Sequence, residues 1–139
     1  MNLYLDTSAI IKLYVLELDS APLRPRVLEA DSVFVAEIAY PEARAALAAM
    51  RRGGRLSSRL HDQAKAEFAA EWAAYAKVAI SPRLCLEAGD LAERFALRGF
   101  DAVHLACFAE IAAVPGPSVE FLSFDARLSR AARLWRASR

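Results

Sequence analysis

Asp6, Glu42, Asp101 and Asp125 are the residues of this chain whose type and placement carry chemistry. Asp6 closes the apolar run Leu3-Tyr4-Leu5, and Asp125 closes the run Val119 to Phe124. Glu42 lies just inside the helix expected after Val33-Phe34-Val35, and Asp101 opens a helix over Ala102 to Ile111. In an open parallel sheet, ligands bind in the crevice outside the carboxyl ends of the strands, so acids far apart in sequence meet at one edge. Two carboxylates about 4 Å apart repel by roughly 4 kcal/mol at an effective dielectric of 20. Such a cluster calls for a cation to hold it ionised, and hard oxygen ligands suit Mg²⁺ or Mn²⁺. A metal-dependent enzyme is the expectation.

Each acid also has a plainer role. Asp101 and Asp125 stand at helix starts, where carboxylates serve as caps and dipole partners. Glu42 taken alone reads as a surface helix residue. Asp6 is harder to dismiss, because an acid ending a buried strand is costly without a partner. The convergence of all four carries the reading. Around them, Thr7 and Ser8 are positioned to cap a helix or bond the site. Ser123 shares a strand face with Asp125. His104, one turn after Asp101, either orients that acid, contacts phosphate or is a satisfied core group. His61 carries no signal.

The elements that must position these residues alternate strand and helix. A strand is expected over about residues 2–6, with Thr7 or Ser8 capping a helix that carries Ile10, Ile11, Leu13 and Tyr14. Pro22 and Pro25 bracket another helical turn. A second strand, 31–35, precedes an alanine-rich helix that stops at Gly53-Gly54. Pro41 within that helix implies a later start or a bend. Ser57 or Ser58 caps a helix to about Ala76, a third strand covers 77–80, and Ser81-Pro82 starts the next helix, ending at Gly99. After the Asp101 helix and the loop Pro115-Gly116-Pro117 come a fourth strand, 119–124, and a last helix, 126–136. This pattern implies a parallel sheet covered on both faces, a single-domain α/β/α sandwich over residues 1–139.

With 139 residues, 56% hydrophobic and 25% charged, the chain can bury a true core. Cys85 and Cys107 form no metal-finger spacing and are expected as buried thiols in a reducing compartment. The absence of a membrane-length apolar stretch and of a signal-peptide pattern points to the cytoplasm. A net charge of +1 does not announce a nucleic-acid binder. Arginine does gather at Arg51, Arg52, Arg55 and Arg59 and again at Arg127, Arg130, Arg133, Arg136 and Arg139, either as solvated faces or as phosphate contacts.

Four segments together carry a family resemblance. Leu5-Asp6-Thr7-Ser8-Ala9, Ala39 to Leu47 around Glu42, Phe100-Asp101-Ala102-Val103-His104-Leu105-Ala106, and Phe121 to Leu128 around Asp125 resemble, in order and spacing, the acidic motifs of PIN-domain nucleases. The third and fourth are similar to those of VapC-type toxins of toxin–antitoxin pairs. The resemblance implies an Mg²⁺- or Mn²⁺-dependent endoribonuclease. Asp6, Glu42, Asp101 and Asp125 would be its catalytic quartet, and Asp6, Asp101 and Asp125 its metal ligands. It implies in-line hydrolysis of an RNA phosphodiester, with Glu42 or Asp125 orienting or deprotonating the water, a task suited to a carboxyl raised in pKa by its neighbours. It also implies a cognate antitoxin and a homodimer. The face Ala43, Ala46, Leu47 and Met50 and the helix Ile10 to Leu16 are candidate docking surfaces, or else core. The departures are Pro41, immediately before Glu42, and Ala36, where the family often has a hydroxyl cap, with Glu37 then a second acid nearby. Competing readings are a PIN nuclease of RNA maturation or DNA processing, a silent PIN binding module, and a phosphotransferase with Asp6 as nucleophile. The last lacks its second acid, because Ser8 stands there.

Overall fold

The computed structural model of the protein describes residues 1–15 and 22–139. Four parallel strands, β1 (Asn2–Leu5), β2 (Val33–Ala36), β3 (Ala76–Val78) and β4 (Val119–Leu122), lie in the order β3-β2-β1-β4. Parallel neighbours need crossover connections, and helices supply them: α1 (Thr7–Tyr14), α2 (Leu23–Glu29), α3 (Ala39–Arg52), α4 (Ser58–Glu71), α5 (Pro82–Phe95), α6 (Gly99–Ala112) and α7 (Ala126–Ala137).

The side-chain period of 2 sorts the strands onto two cores. Leu3, Leu5 and Val35 face α1, α3 and α4, where they join Ile10, Ala43, Leu47 and Phe68. Tyr4 and Ala36 face the other way, into Leu84, Leu105, Phe108, Leu128 and Trp135 of α5, α6 and α7. Tyr4 stacks on Phe121 with ring centroids 5.5 Å apart, and Phe108 meets both rings edge-on. Phe121 is partly buried, while a fully buried ring such as Phe108 contributes about 1.5–3 kcal/mol. The three-layer sandwich expected from the sequence is the observed architecture.

The chain progresses from β1 to β2 to β3, then returns across the sheet to place β4 on the far side of β1. The strand order therefore reverses between β1 and β4, and the crevice at such a switch point is where open α/β sheets bind ligands. Asp6 follows one of these strands and Asp125 the other.

Several boundaries move from their expected places. Asp6 itself, rather than Thr7 or Ser8, caps α1, its carboxylate accepting from the Ala9 N–H at 3.0 Å. Pro41 is the third residue of α3, and the first ladder bond of that helix is Glu42 N–H to the Ile38 carbonyl. The N–H that proline lacks is one a helix start leaves unpaired anyway, so no bend is required. Ser57 and Ser81 cap α4 and α5 as expected. Gly99 does not end α5. Ala96 does so in the left-handed region (φ 53°), and Gly99 is the first residue of α6. Cys85 is exposed, against the expectation of two buried thiols, because the inward stripe of α5 runs through Leu84, Ala88 and Leu91. Cys107 is buried, and burial pushes its thiol up to about 12.

Ala43, Leu47 and Met50 pack within the chain's own core, as do Ile10, Leu13 and Tyr14. These faces are therefore largely core, with Ala46 half-buried and Leu13, Tyr14 and Met50 also lining an open groove beside α4. Leu16, the last residue of the expected α1 surface, lies outside the described residues.

Candidate active site

Asp6 is the most enclosed of the four acids, only 4% exposed. The turn from β1 into α1 places it, and three hydroxyl or amide donors fix both carboxylate oxygens. Oδ1 accepts from Ser8 Oγ (2.7 Å) and Ala9 N–H, and Oδ2 accepts from Ser123 Oγ at 2.6 Å. Burial raises its pKa above the usual aspartate value, against the lowering effect of those donors. Ser123, at the end of β4, also accepts the Asp125 backbone N–H at 3.0 Å, and Ser8 accepts the Phe124 N–H at 2.8 Å. Two hydroxyls thus tie the ends of the two switch-point strands to one carboxylate. The expected reach of Ser123 toward this edge is realised.

Glu42 enters from the first turn of α3. Its Oε1 accepts from Thr7 Oγ1 at 2.8 Å and from His104 Nε2 at 2.8 Å. Burial by itself would raise the Glu42 carboxyl. The hydrogen bond and charge of His104, with the Thr7 hydroxyl, outweigh it and hold the pKa below the usual glutamate value. A carboxyl raised by its neighbours is the expectation for Glu42 or Asp125, and at Glu42 the imidazole reverses the sign. His104 is 2% exposed, and its Nδ1 is hydrogen-bonded to the Tyr4 hydroxyl at 2.9 Å. It therefore orients Glu42, not Asp101. Tyr4 is the residue that sequence reasoning missed: a core strand aromatic whose hydroxyl anchors, through His104, an acid on another helix.

Asp101 and Asp125 are more open. Asp101 accepts from Arg98 Nε at 3.1 Å, and Asp125 caps α7 through Leu128 N–H (3.0 Å) while its Oδ2 lies 3.7 Å from an Arg98 terminal nitrogen. Arg98 belongs to neither arginine group singled out by the sequence. From the second group, Arg136 donates to the Val119 carbonyl and lies over Phe108, and Arg139 lies over Trp135.

The quartet is thus brought to one sheet edge as expected, linked through Ser123, Thr7 and Arg98. All four acids are hard oxygen donors, which in kind fit Mg²⁺ or Mn²⁺. Their spacing is wider than a coordination shell: among the described residues, no three His, Cys, Asp or Glu side chains stand close enough to share an ion. A guanidinium instead spans Asp101 and Asp125.

Residues 3–134 match the PIN domain. The chain belongs to the PIN-domain family. Within that family its kinship is to the VapC type. Ribonuclease VapC45 of Mycobacterium tuberculosis is 37% identical over 125 residues, covering 90% of this chain and 85% of the relative. The fold is shared with M. tuberculosis VapC20, whose structure is described as a sarcin-ricin loop cleaving toxin (TM-score 0.66, 16% identity, 93% of this chain and 94% of that one). It is shared also with VapBC2 of Rickettsia felis, solved bound to a DNA fragment from its promoter (TM-score 0.57, 10% identity, 88% of this chain and 100% of that one). In this VapC-type chain, Asp6 and Asp125 stand at the β1/β4 switch point, and Glu42 and Asp101 line a groove beside it.

Proposed function

We propose that this PIN-domain protein is an endoribonuclease dependent on Mg²⁺ or Mn²⁺ and acts as the toxin of a type II toxin–antitoxin pair. The observation that carries the reading is the Asp6 carboxylate, buried at the β1/β4 switch point and held by Ser8 and Ser123, with Glu42 on its Thr7–His104 support beside it. At the spacing seen here Asp6, Asp101 and Asp125 would hold the ion in part through waters, and when bound it would supply charge stabilisation at the phosphate oxygens and acidify a water. A cation next to Asp6 would also offset the burial that raises its carboxyl.

The chain's own residues divide the remaining work. Ser8 and Ser123 fix the Asp6 oxygens, so no reorientation is needed as the substrate arrives. Glu42, kept ionised by His104 and Thr7, is a hydrogen-bond acceptor for the attacking water. Its low pKa makes it an orienting group more than a proton store. Tyr4 and His104 lock that orientation from the core.

The name Ribonuclease VapC45 and the description of VapC20 support RNA as substrate, and the VapBC2 complex supports an antitoxin partner. A homodimer and a cytoplasmic setting accord with this reading. No helix among the described residues is long and apolar enough to cross a membrane.

Cleavage of end-labelled total RNA with Mg²⁺ or Mn²⁺ tests it, beside EDTA, Asp6→Asn and a single-stranded DNA control. Discrete RNA fragments from the wild type alone are expected. Cleavage of DNA in preference would move the protein to the processing-nuclease reading. Absence of both metal binding and cleavage would leave the silent binding module.

A further inference from the structure

Asp101 and Asp125 come from different elements, and one side chain touches both. Arg98 reaches Asp101 with Nε at 3.1 Å and Asp125 with a terminal nitrogen at 3.7 Å. It sits in the short link between Ala96, which ends α5 in a left-handed conformation, and Gly99, which starts α6. Its side chain is 76% exposed, so the contacts are those of a solvated cation and can be exchanged. Exposed ion pairs of this kind are weak, each amounting to a few-fold in an equilibrium. A divalent ion binding the same carboxylates displaces such a group at small cost.

The released side chain stays beside the site. Arg98 also lines an open groove of about 700 Å³ between α5 and α6, together with Glu42, Asp101 and the exposed ring of Phe100. The groove therefore runs directly into the acidic edge. An arginine there offers a planar fork that matches two phosphate oxygens, which lysine does not.

We propose that Arg98 has two stations: on Asp101 and Asp125 it stands where the cation's charge is required, and once displaced it binds a phosphate of the RNA strand entering along the α5/α6 groove. This deepens the nuclease reading and rests on it. In the first station it holds two like-charged carboxylates near each other before a metal arrives. In the second it positions substrate and thereby couples metal loading to RNA binding.

The test pairs Mn²⁺ titration calorimetry on chelator-stripped protein, without RNA, with steady-state cleavage by the wild type, Arg98→Met and Arg98→Lys. Thermal melts check that the exposed substitutions leave folding intact. Arg98→Met loses the competing cation and is expected to bind Mn²⁺ about three- to tenfold more tightly, from two weak pairs. Its KM for RNA should rise about tenfold with kcat changed less, the loss of one charge-assisted phosphate contact. Arg98→Lys keeps the charge but not the fork, so its Mn²⁺ affinity stays near wild type while KM still rises. Unchanged or weaker Mn²⁺ binding in Arg98→Met overturns the first station, and an unchanged KM overturns the second. A wild type that neither binds Mn²⁺ nor cuts RNA refutes the nuclease reading itself, and this proposal with it.

Discussion

Replacing His104 by leucine offers a quantitative check on how the catalytic edge is held. The imidazole is buried among three polar partners, Tyr4 on one nitrogen and Glu42 and Thr7 on the other. Leucine fills comparable space but bonds none of them. The Tyr4 hydroxyl, on a residue with no exposure, is then left with only the weak Cys107 thiol as partner, at about 1–3 kcal/mol. Glu42 keeps Thr7 and its partial access to water, so its loss is smaller, about 1 kcal/mol. A destabilisation of about 2–4 kcal/mol in urea unfolding at pH 7 is expected.

The pH dependence has a definite sign. The Glu42 carboxyl is depressed in the folded state, so its contribution is present above the unfolded glutamate value and lost as pH falls through the folded one. The gap between wild type and variant should therefore narrow in acid. Tyr4→Phe removes the other partner of the Nδ1 bond, and in Tyr4→Phe/His104→Leu no hydroxyl is left short of its strong partner. The double variant should then be less damaged than the sum of the singles, by about 1 kcal/mol or more. Strict additivity, or a His104→Leu cost below about 0.5 kcal/mol, would refute the account of this buried relay.

Other expectations are as direct. Asp6→Asn should make the metal-free protein more stable relative to wild type at pH 7 than at pH 3. Burial raises the Asp6 pKa, so its favourable, protonated state is lost as pH rises through that value; urea titrations at both pH values check this, and added Mn²⁺ should stabilise only the wild type. Ser123→Ala leaves Asp6 Oδ2 and the Asp125 N–H each short a partner, and should cost about 1–3 kcal/mol together with most of the activity. Iodoacetamide at pH 8 should label exposed Cys85 and spare Cys107, whose thiol stands at about 12 and is buried; mass spectrometry of the native protein reads both sites.

What the sequence discloses is what local patterning controls. Leu3, Tyr4 and Leu5 alternate sides, Ser57 and Ser81 cap, and acids after apolar runs land at the strand ends. The sandwich and the meeting of four acids follow from these. Pairings made only in space are hidden. His104 is three residues from Asp101 yet bonds Glu42, 62 positions away, because the inward face of α6 points at β1 and α3. Arg98 looks like a loop residue until folding brings the α7 cap beside it. The end of α5 was misplaced because Ala96 adopts a conformation usually left to glycine.

The place of β1 in the sheet has a consequence for how the protein is made. β1 is an inner strand, and its β4 edge must wait until Val119 to Leu122 have been made. Asp6 meets the hydroxyl that fixes its second oxygen only when Ser123 arrives, 117 residues later. Pairings this distant in sequence form late, since the loop they close is long. A nascent chain therefore carries an unassembled acidic edge until Ser123 is made. The acidic edge is completed only after β4 and Ser123 have been made, late in the order of this chain.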